Sequence, residues 1–371
     1  MTGQLHLGVA LDGYGWHPQA WRATLAQAPR HPGTPSVLSG RYWAELAATA
    51  ERGLLDFLTI DDTLMPQPGR RERIDPRRLA GRADAALVAA RIAPVTRHIG
   101  LIPVATVTHT EPFHVSKSIA TLDYVSHGRA GWQPRVSVTT HEAALIGRRD
   151  GSQIPLSHLF QEALEYVDVV RRLWDSWEDD AIIRDVTTGR YVDIDKLHYI
   201  DFAGKYLSVK GPSITPRPPQ GQPVVAALAH AGPVYEFAAA SADVVFITPT
   251  DGAAVRSILN EVYAAGGSGL KVFADVVVSF HGGGDFRSDA LVFSGSATEL
   301  VDMLLDWQRL GIDGARLRPA VNATDLPVIV DEVVPLLQRA GRFRTGYRQG
   351  ETLRARLHLP VAPNRYAAVN K

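Results

Sequence analysis

Clusters of polar and aromatic side chains stand directly after short apolar runs, and together they have the makings of a reactive centre. Each run reads as a buried strand, so the residues after it lie at a strand's carboxyl end. The first cluster is Asp12, Gly13, Tyr14, Gly15, Trp16 and His17. Asp61, Asp62 and Thr63 follow the second run, and Thr106, Thr108 and His109 close the third. Gln133, Arg135, Ser137 and Thr139 belong to the fourth, His230 with Gly232 to the fifth, and Thr248 and Thr250 to the sixth. Ser279 and His281 precede Gly282-Gly283-Gly284, and Arg316 and Arg318 complete the series. The set is rich in neutral hydrogen-bonding groups and aromatic rings and poor in convergent carboxylates. That suits a planar polar cofactor, whose edges need donors and acceptors and whose faces need apolar packing. A hydrolytic metal site would have to be assembled from Asp61, Asp62, His109, His230 and His281, with no His-x-His pair in the first strand. No metal is expected. Tyr14, Trp16 and His109 are the candidates for contact with a substrate.

Each feature also has a plain structural reading. Asp61 and Asp62 serve equally well as caps of the following segment. His109 and His230 read equally as ordinary loop histidines, and Ser137 as a hydrogen-bonded strand-end hydroxyl. The glycine run lacks G-x-G-x-x-G spacing and reads as a loop. Nucleophile-elbow, Walker A and H-E-x-x-H motifs are absent from the sequence.

The elements that must position these groups alternate. Residues 5–11, 54–60, 99–107, 131–138, 224–228, 244–247, 272–280 and 315–317 read as strands. Residues 42–52, 83–92, 113–125, 159–174, 234–241, 253–265, 297–310 and 326–340 read as helices between them. Continuous apolar strands are buried on both faces, as parallel strands are. Eight such βα units most simply close into a (β/α)8 TIM barrel, an α/β fold whose reactive groups gather at the carboxyl ends of the strands. An open doubly wound sheet is the rival. Insertions are expected near 141–155 and 176–222, the second rich in Gly and Pro with a hairpin around 206–209. Residues 342–371 form a polar, Arg-rich extension that would wrap the barrel or a neighbouring subunit. The chain, 1–371, reads as a single domain.

Composition narrows the classes. Lys+Arg and Asp+Glu both number 39, so there is no charge footprint for nucleic acid or an anionic membrane. With no cysteine, disulfides, thiolate metal sites and a cysteine nucleophile are excluded. The apolar runs are shorter than a membrane span, and residues 1–11 show no secretory pattern, so a cytoplasmic location is expected.

Several segments resemble one known family in order and at its spacing. They are Glu111-Pro112-Phe113-His114, Ala120 to Ser126, Gly128 to Trp132, Leu173 to Ala181, Gly204 to Pro223, Ala242 to Phe246, and Thr352 to Arg354 with Leu357 to Pro360. The chain so resembles the nitrilotriacetate monooxygenase family, which includes the desulfurisation sulfone monooxygenases and sits within the luciferase-like flavin oxidoreductases. The resemblance implies a luciferase-like barrel with insertions, reduced FMN as cosubstrate, O2 activation, and oxygenation of a small organic substrate. It also implies a separate flavin reductase and a homodimer or homotetramer. Carried over position by position, Asp62, Thr106 and Thr108 resemble flavin contacts. Ser137 matches a strand-end hydroxyl near the reactive face, and His17 and His281 resemble pocket histidines.

The departures concern the phosphate of the flavin. Gln133, Pro134 and Arg135 replace the family's usual strand-end residues. Leu156 and Phe160 stand where a His and a Tyr help bind FMN, and His230 replaces a Ser. Each lost neutral hydrogen bond costs about 0.5–1.5 kcal/mol. His230, Arg135 and the start of the helix near Gly232 would have to compensate. Two alternatives stay open from sequence: an F420-dependent oxidoreductase of the same superfamily, and a flavin-poor, non-catalytic barrel subunit.

Overall fold

The computed structural model describes residues 3–26, 36–66, 74–150, 154–230, 232–282 and 286–367. Its strands β1 (His6–Leu11), β2 (Phe57–Ile60), β3 (Gly100–Thr106), β4 (Gly131–Arg135), β5 (Val224–Ala229), β6 (Val244–Ile247), β7 (Lys271–Ser279) and β8 (Gly314–Pro319) are all parallel. They close into a ring, with His6 opposite Gly314 at the β1–β8 seam and Val244 opposite Lys271 between β6 and β7. The open-sheet rival is therefore excluded, and the fold is a closed (β/α)8 TIM barrel. β1 and β6 are buried along their whole length, which is why they carry no polar alternation.

Helices α1 (Ala20–Ala26), α2 (Gly40–Arg52), α3 (Ala85–Ile92), α4 (Pro112–Val125), α5 (Thr140–Ile146), α6 (Leu156–Asp175), α7 (Gly232–Ser241), α8 (Gly252–Ala264) and α9 (Ala297–Leu310) lie between the strands in sequence, and α10 (Asn322–Val328) follows the last of them. Their apolar faces carry the main core. In α2, Tyr42, Trp43, Leu46, Ala47 and Ala50 recur at helical spacing and are buried. The starts are chemically marked. Ser39 caps α2, Asp84 accepts from the Leu87 amide at α3, and Ser296 with Glu299 forms a capping box at α9. Pro112 occupies the first turn of α4, where its missing N–H costs nothing.

The barrel interior has two layers. Phe57, Ile102, Val224, Phe246 and Phe273 fill the amino-terminal half, and Leu353 and Leu357 of the tail seal it from outside. Arg356 of the same tail donates to the carbonyls of Asp56 and His98, fixing the plug to the strand entrances. The tail thus wraps its own barrel. Above this floor the interior becomes polar, with Arg316, Asp275 and Gln133 all buried.

Differences from the sequence reading have local causes. α1 was not anticipated because only Ala20 and Thr24 of its seven residues are buried, leaving no apolar stripe. A ninth strand, Leu291–Ser294, pairs in parallel with β7 but is mostly half-buried and gives no long apolar run. β4 ends at Arg135, not at 138. The helix read at 326–340 is broken by a π turn at Ile329–Val333 between Pro327 and Pro335, each of which lacks an N–H. Residues 141–155 hold most of α5, and 176–222 hold two hairpins, Ile182–Asp185 with Arg190–Val192 and Phe202–Ala203 with Ser208–Val209.

Candidate active site

A cleft of about 490 Å³ opens at the carboxyl-terminal mouth. Trp16 and His17 line it from the loop after β1, Leu79 and Arg82 from the segment after β2, and Phe286, Arg287 and Asp289 from the segment after β7. Gly15 makes the first loop possible. Its φ is +142°, and a Cβ there would lie 2.3 Å from the Ala320 carbonyl oxygen. The amides of Trp16 and His17 then donate to the carbonyls of Pro319 and Ala320, tying the loop to the end of β8. The Trp16 indole N–H donates to the Ala10 carbonyl at 2.8 Å, which fixes the ring plane as a wall. His17 Nδ1 accepts from the Gln19 amide at 3.0 Å, and burial lowers its pKa. The neutral ring therefore carries its proton on Nε2. Arg82 clasps the mouth by bridging Asp61 at 3.0 Å and Asp12 at 3.1 Å. Burial raises the Asp12 carboxyl above its ordinary value despite the Arg82 charge.

The other half of the mouth is organised around Glu142, a fully buried residue of α5. Arg135 donates to both of its carboxylate oxygens, at 2.8 and 3.1 Å, and also to Thr106 Oγ1 at 3.1 Å. The Ser137 hydroxyl donates to Glu142 at 2.6 Å, and the Leu64 amide at 2.7 Å. Burial pushes the Glu142 carboxyl up. Hydrogen bonds from Arg135 and Ser137, with the Arg135 charge, outweigh it and hold the group below its ordinary value. Thr108 Oγ1 accepts from the Ser137 amide at 2.9 Å. Asp62 accepts from the amides of Thr63 and Ala85, and so helps cap α3.

Beneath both halves lies a charged layer. Asp275 pairs with Arg316 (2.6 Å to Nε) and with Arg318. Arg316 also donates to Gln133 Oε1 at 2.8 Å and stacks over the Phe246 ring at 3.7 Å. Arg318 lies over the Trp16 ring at 4.5 Å and donates to Asp289 at 2.7 Å.

The remaining candidates fall in different places. Tyr14 is buried edge-on against Tyr42, among the core residues and outside the cleft lining. His109 is buried at a φ of +74°, and neither ring nitrogen has a partner. Its pKa is lowered by burial and by the neighbouring Arg149 charge. Arg149 pairs with Glu162 through Nη1 at 2.9 Å, while its Nε and Nη2 are buried without partners. Phe160 packs on Phe237, while Leu156 is exposed. His230 Nδ1 meets Thr248 Oγ1 at 3.0 Å, and its Nε2 lies 3.5 Å from Asp289. Arg135 and His230 are thus already engaged by protein groups. Gly232 opens α7 with free space where a Cβ would point. His281 is exposed on the loop after β7; Gly283 and Gly284 lie outside the described residues. Asp61, Asp62, His109, His230 and His281 do not meet in a metal-sized group, and no group of three or more such ligands occurs among the described residues.

Sequence reasoning missed Glu142, Arg82, Asp275 and Asp289. Asp275 carried a signal, a lone acid inside the apolar run 272–280. Glu142 carried none, because it sits on a short helix inside what reads as an insertion.

Comparisons with known proteins agree in direction. A model of luciferase-like monooxygenases matches residues 19–282. The N-acetyl-S-(2-succino)cysteine monooxygenase of Bacillus subtilis (strain 168) is 29% identical over 454 aligned positions, covering 98% of each chain. That alignment is longer than the present 371 residues, so the relative carries segments this chain lacks. Nitrilotriacetate monooxygenase component A of Aminobacter aminovorans is 36% identical over 74% of this chain and 62% of its own length. The crystal structure of a long-chain alkane monooxygenase superposes with a TM-score of 0.84 at 22% identity, covering 100% of both chains.

Proposed function

Because the chain belongs to the luciferase-like monooxygenase family, we propose that it uses reduced FMN and O2 to oxygenate a small organic substrate. The observation that carries this reading is the cleft. It is walled by Trp16, Leu79 and Phe286, opens at the carboxyl ends of the strands, and has the size of a small-molecule site. FMN needs an apolar slot for its ring, polar edges and a cationic receiver for its phosphate. Arg149, paired with Glu162 through Nη1 but with Nε and Nη2 buried and unpartnered, fits the last requirement, with the neutral His109 ring and the open start of α7 at Gly232 as further donors.

In this reading Asp62, Thr106, Thr108, Gln133, Arg135 and Ser137 hold the cofactor side of the mouth, with Phe160 and His230 flanking it. Reduced FMN supplies the electrons that activate O2. The protein's part is to orient and to exclude water. Trp16, Leu79 and Phe286 keep the cleft apolar, and His17 presents its Nε2 proton. Ser137 keeps its hydroxyl proton directed at Glu142. A separate flavin reductase supplies the reduced cofactor; the similar protein from Aminobacter aminovorans bears the name component A, as one part of a larger system would.

The test is binding of FMN, FMNH2, riboflavin and F420 to the purified protein. We expect saturable FMN binding, no F420 binding, and riboflavin weaker by about tenfold, equivalent to about 1.4 kcal/mol. Arg149→Ala should erase the FMN-over-riboflavin preference and leave riboflavin affinity unchanged. Absence of saturable binding of either FMN redox state overturns the function. A preference that survives Arg149→Ala overturns only the phosphate site.

The same reading includes a homodimer. A groove of about 610 Å³ between α3 and α4 is lined by Leu87, Ala90, Pro94, Leu122 and Val125, and Leu87 is 72% exposed. An apolar face of this kind is the usual mark of an association surface. Leu87→Glu should convert the dimer to a monomer in light-scattering chromatography; an unchanged mass would place any dimer elsewhere.

A further inference from the structure

We propose that Arg318 receives a carboxylate of the substrate, and that Asp289 fills this position in the resting protein as an internal competitor. The inference rests on reading the cleft as the substrate site. Two guanidinium groups, Arg316 and Arg318, are buried at 2% and 0% exposure and share one buried carboxylate, Asp275. Arg316 is completed by neutral partners, Gln133 and Thr59, and by the Phe246 ring. Arg318 lies over the Trp16 ring but has no neutral hydrogen-bond acceptor. Its second acid is Asp289, and its Nε is buried with nothing to donate to.

Asp289 differs in kind from Asp275. Its side chain is 44% exposed and lines the cleft, so it stands between Arg318 and the bound space. Burial raises its carboxyl, and the Arg318 charge and hydrogen bond more than reverse this, so it is ionised at neutral pH. The other acids of the cleft, Asp12 and Asp61, are bound to Arg82. If Asp289 swings outward, a substrate carboxylate can take its place on Arg318 beside His230 without adding net charge to the interior. Exchange of one carboxylate for another avoids the large cost of burying an unpaired ion. The Trp16 and Phe286 rings would meet the apolar body of the same molecule. The class implied is an organic acid of modest size with an apolar portion.

The probes are phenylacetate and its neutral counterpart phenylacetamide, titrated by calorimetry into the full-length protein and into Asp289→Asn. Removing the competitor should tighten phenylacetate about tenfold, as expected if the Asp289–Arg318 contact is closed about nine-tenths of the time. Phenylacetamide affinity should not change. Adding Arg318→Lys to Asp289→Asn should abolish the preference for the acid, since lysine lacks the planar fork. Thermal melts confirm that the variants fold. Asp289→Asn leaving phenylacetate unchanged or weaker, including no binding to either protein, overturns the proposal. Flavin titrations on the same samples separate the two readings. Normal flavin binding without tightening rejects this inference alone, whereas tightening without flavin binding rejects the oxygenase and keeps the carboxylate site.

Discussion

Asp275→Asn should lower stability by about 3–5 kcal/mol, a large part of the 5–15 kcal/mol typical of a folded protein. The carboxylate is fully buried and is the shared partner of Arg316 and Arg318, which are themselves buried. An amide of the same shape keeps the volume and removes the charge, so two guanidinium ions would face each other in a low-dielectric layer. Asp289→Asn touches the same Arg318 but from a half-exposed position, and should cost no more than about 1 kcal/mol. Urea melts of the two variants give the comparison directly. Equal costs would show that the charged layer is far better hydrated than its burial indicates.

Glu142→Leu should produce the second large effect. One carboxylate organises Arg135, Ser137 and the Leu64 amide, and through Arg135 it holds Thr106. Losing hydrogen bonds to a charged group costs about 1.5–3 kcal/mol each, and part returns as Arg135, itself partly exposed, turns to water. We expect a net loss of about 2–4 kcal/mol and a more than tenfold loss of FMN affinity, because the cofactor side of the mouth loses its frame. The pH dependence is specific. The folded-state value of Glu142 is depressed below the ordinary 4.5, so its contribution is complete above pH 4.5 and drains away as pH falls through the lower value. Asp56, Asp243 and Asp289 are depressed too, so melts of Glu142→Leu should show a smaller acid-side loss than those of the wild type, the difference being the Glu142 share. A variant that keeps both its stability and its FMN affinity would remove Glu142 from the site.

What the residues disclose on their own follows burial. Residues 244–247 and 297–310 are read to the residue, because a strand buried on both faces and an amphipathic helix with a capping box leave unambiguous patterns. The mouth loops follow from the barrel, since they leave the strands' carboxyl ends, but which side chains turn into the mouth does not, as the core position of Tyr14 shows. What sequence order hides is pairing across the ring. Asp275 meets Arg316 and Arg318 because β7 and β8 are neighbours with Asp275 opposite Arg316, a register no local motif encodes. The assembly of Arg135 with Glu142 is likewise invisible from spacing, because it needs the chain to leave β4 early and turn into α5. The structure gives the Ser137 hydroxyl a carboxylate partner that sequence reasoning could not name, and shows Arg135 already occupied where that reasoning wanted it for a phosphate.

The plug of Leu353 and Leu357 in the barrel floor has a consequence for biosynthesis. The first strand finds its β8 neighbour only when residue 314 has been made, and the floor gains its stopper some forty positions later. On the ribosome, therefore, Phe57 and Ile102 wait for their stopper through most of translation, and Phe246 through nearly all of its last third, at about 5–20 residues per second.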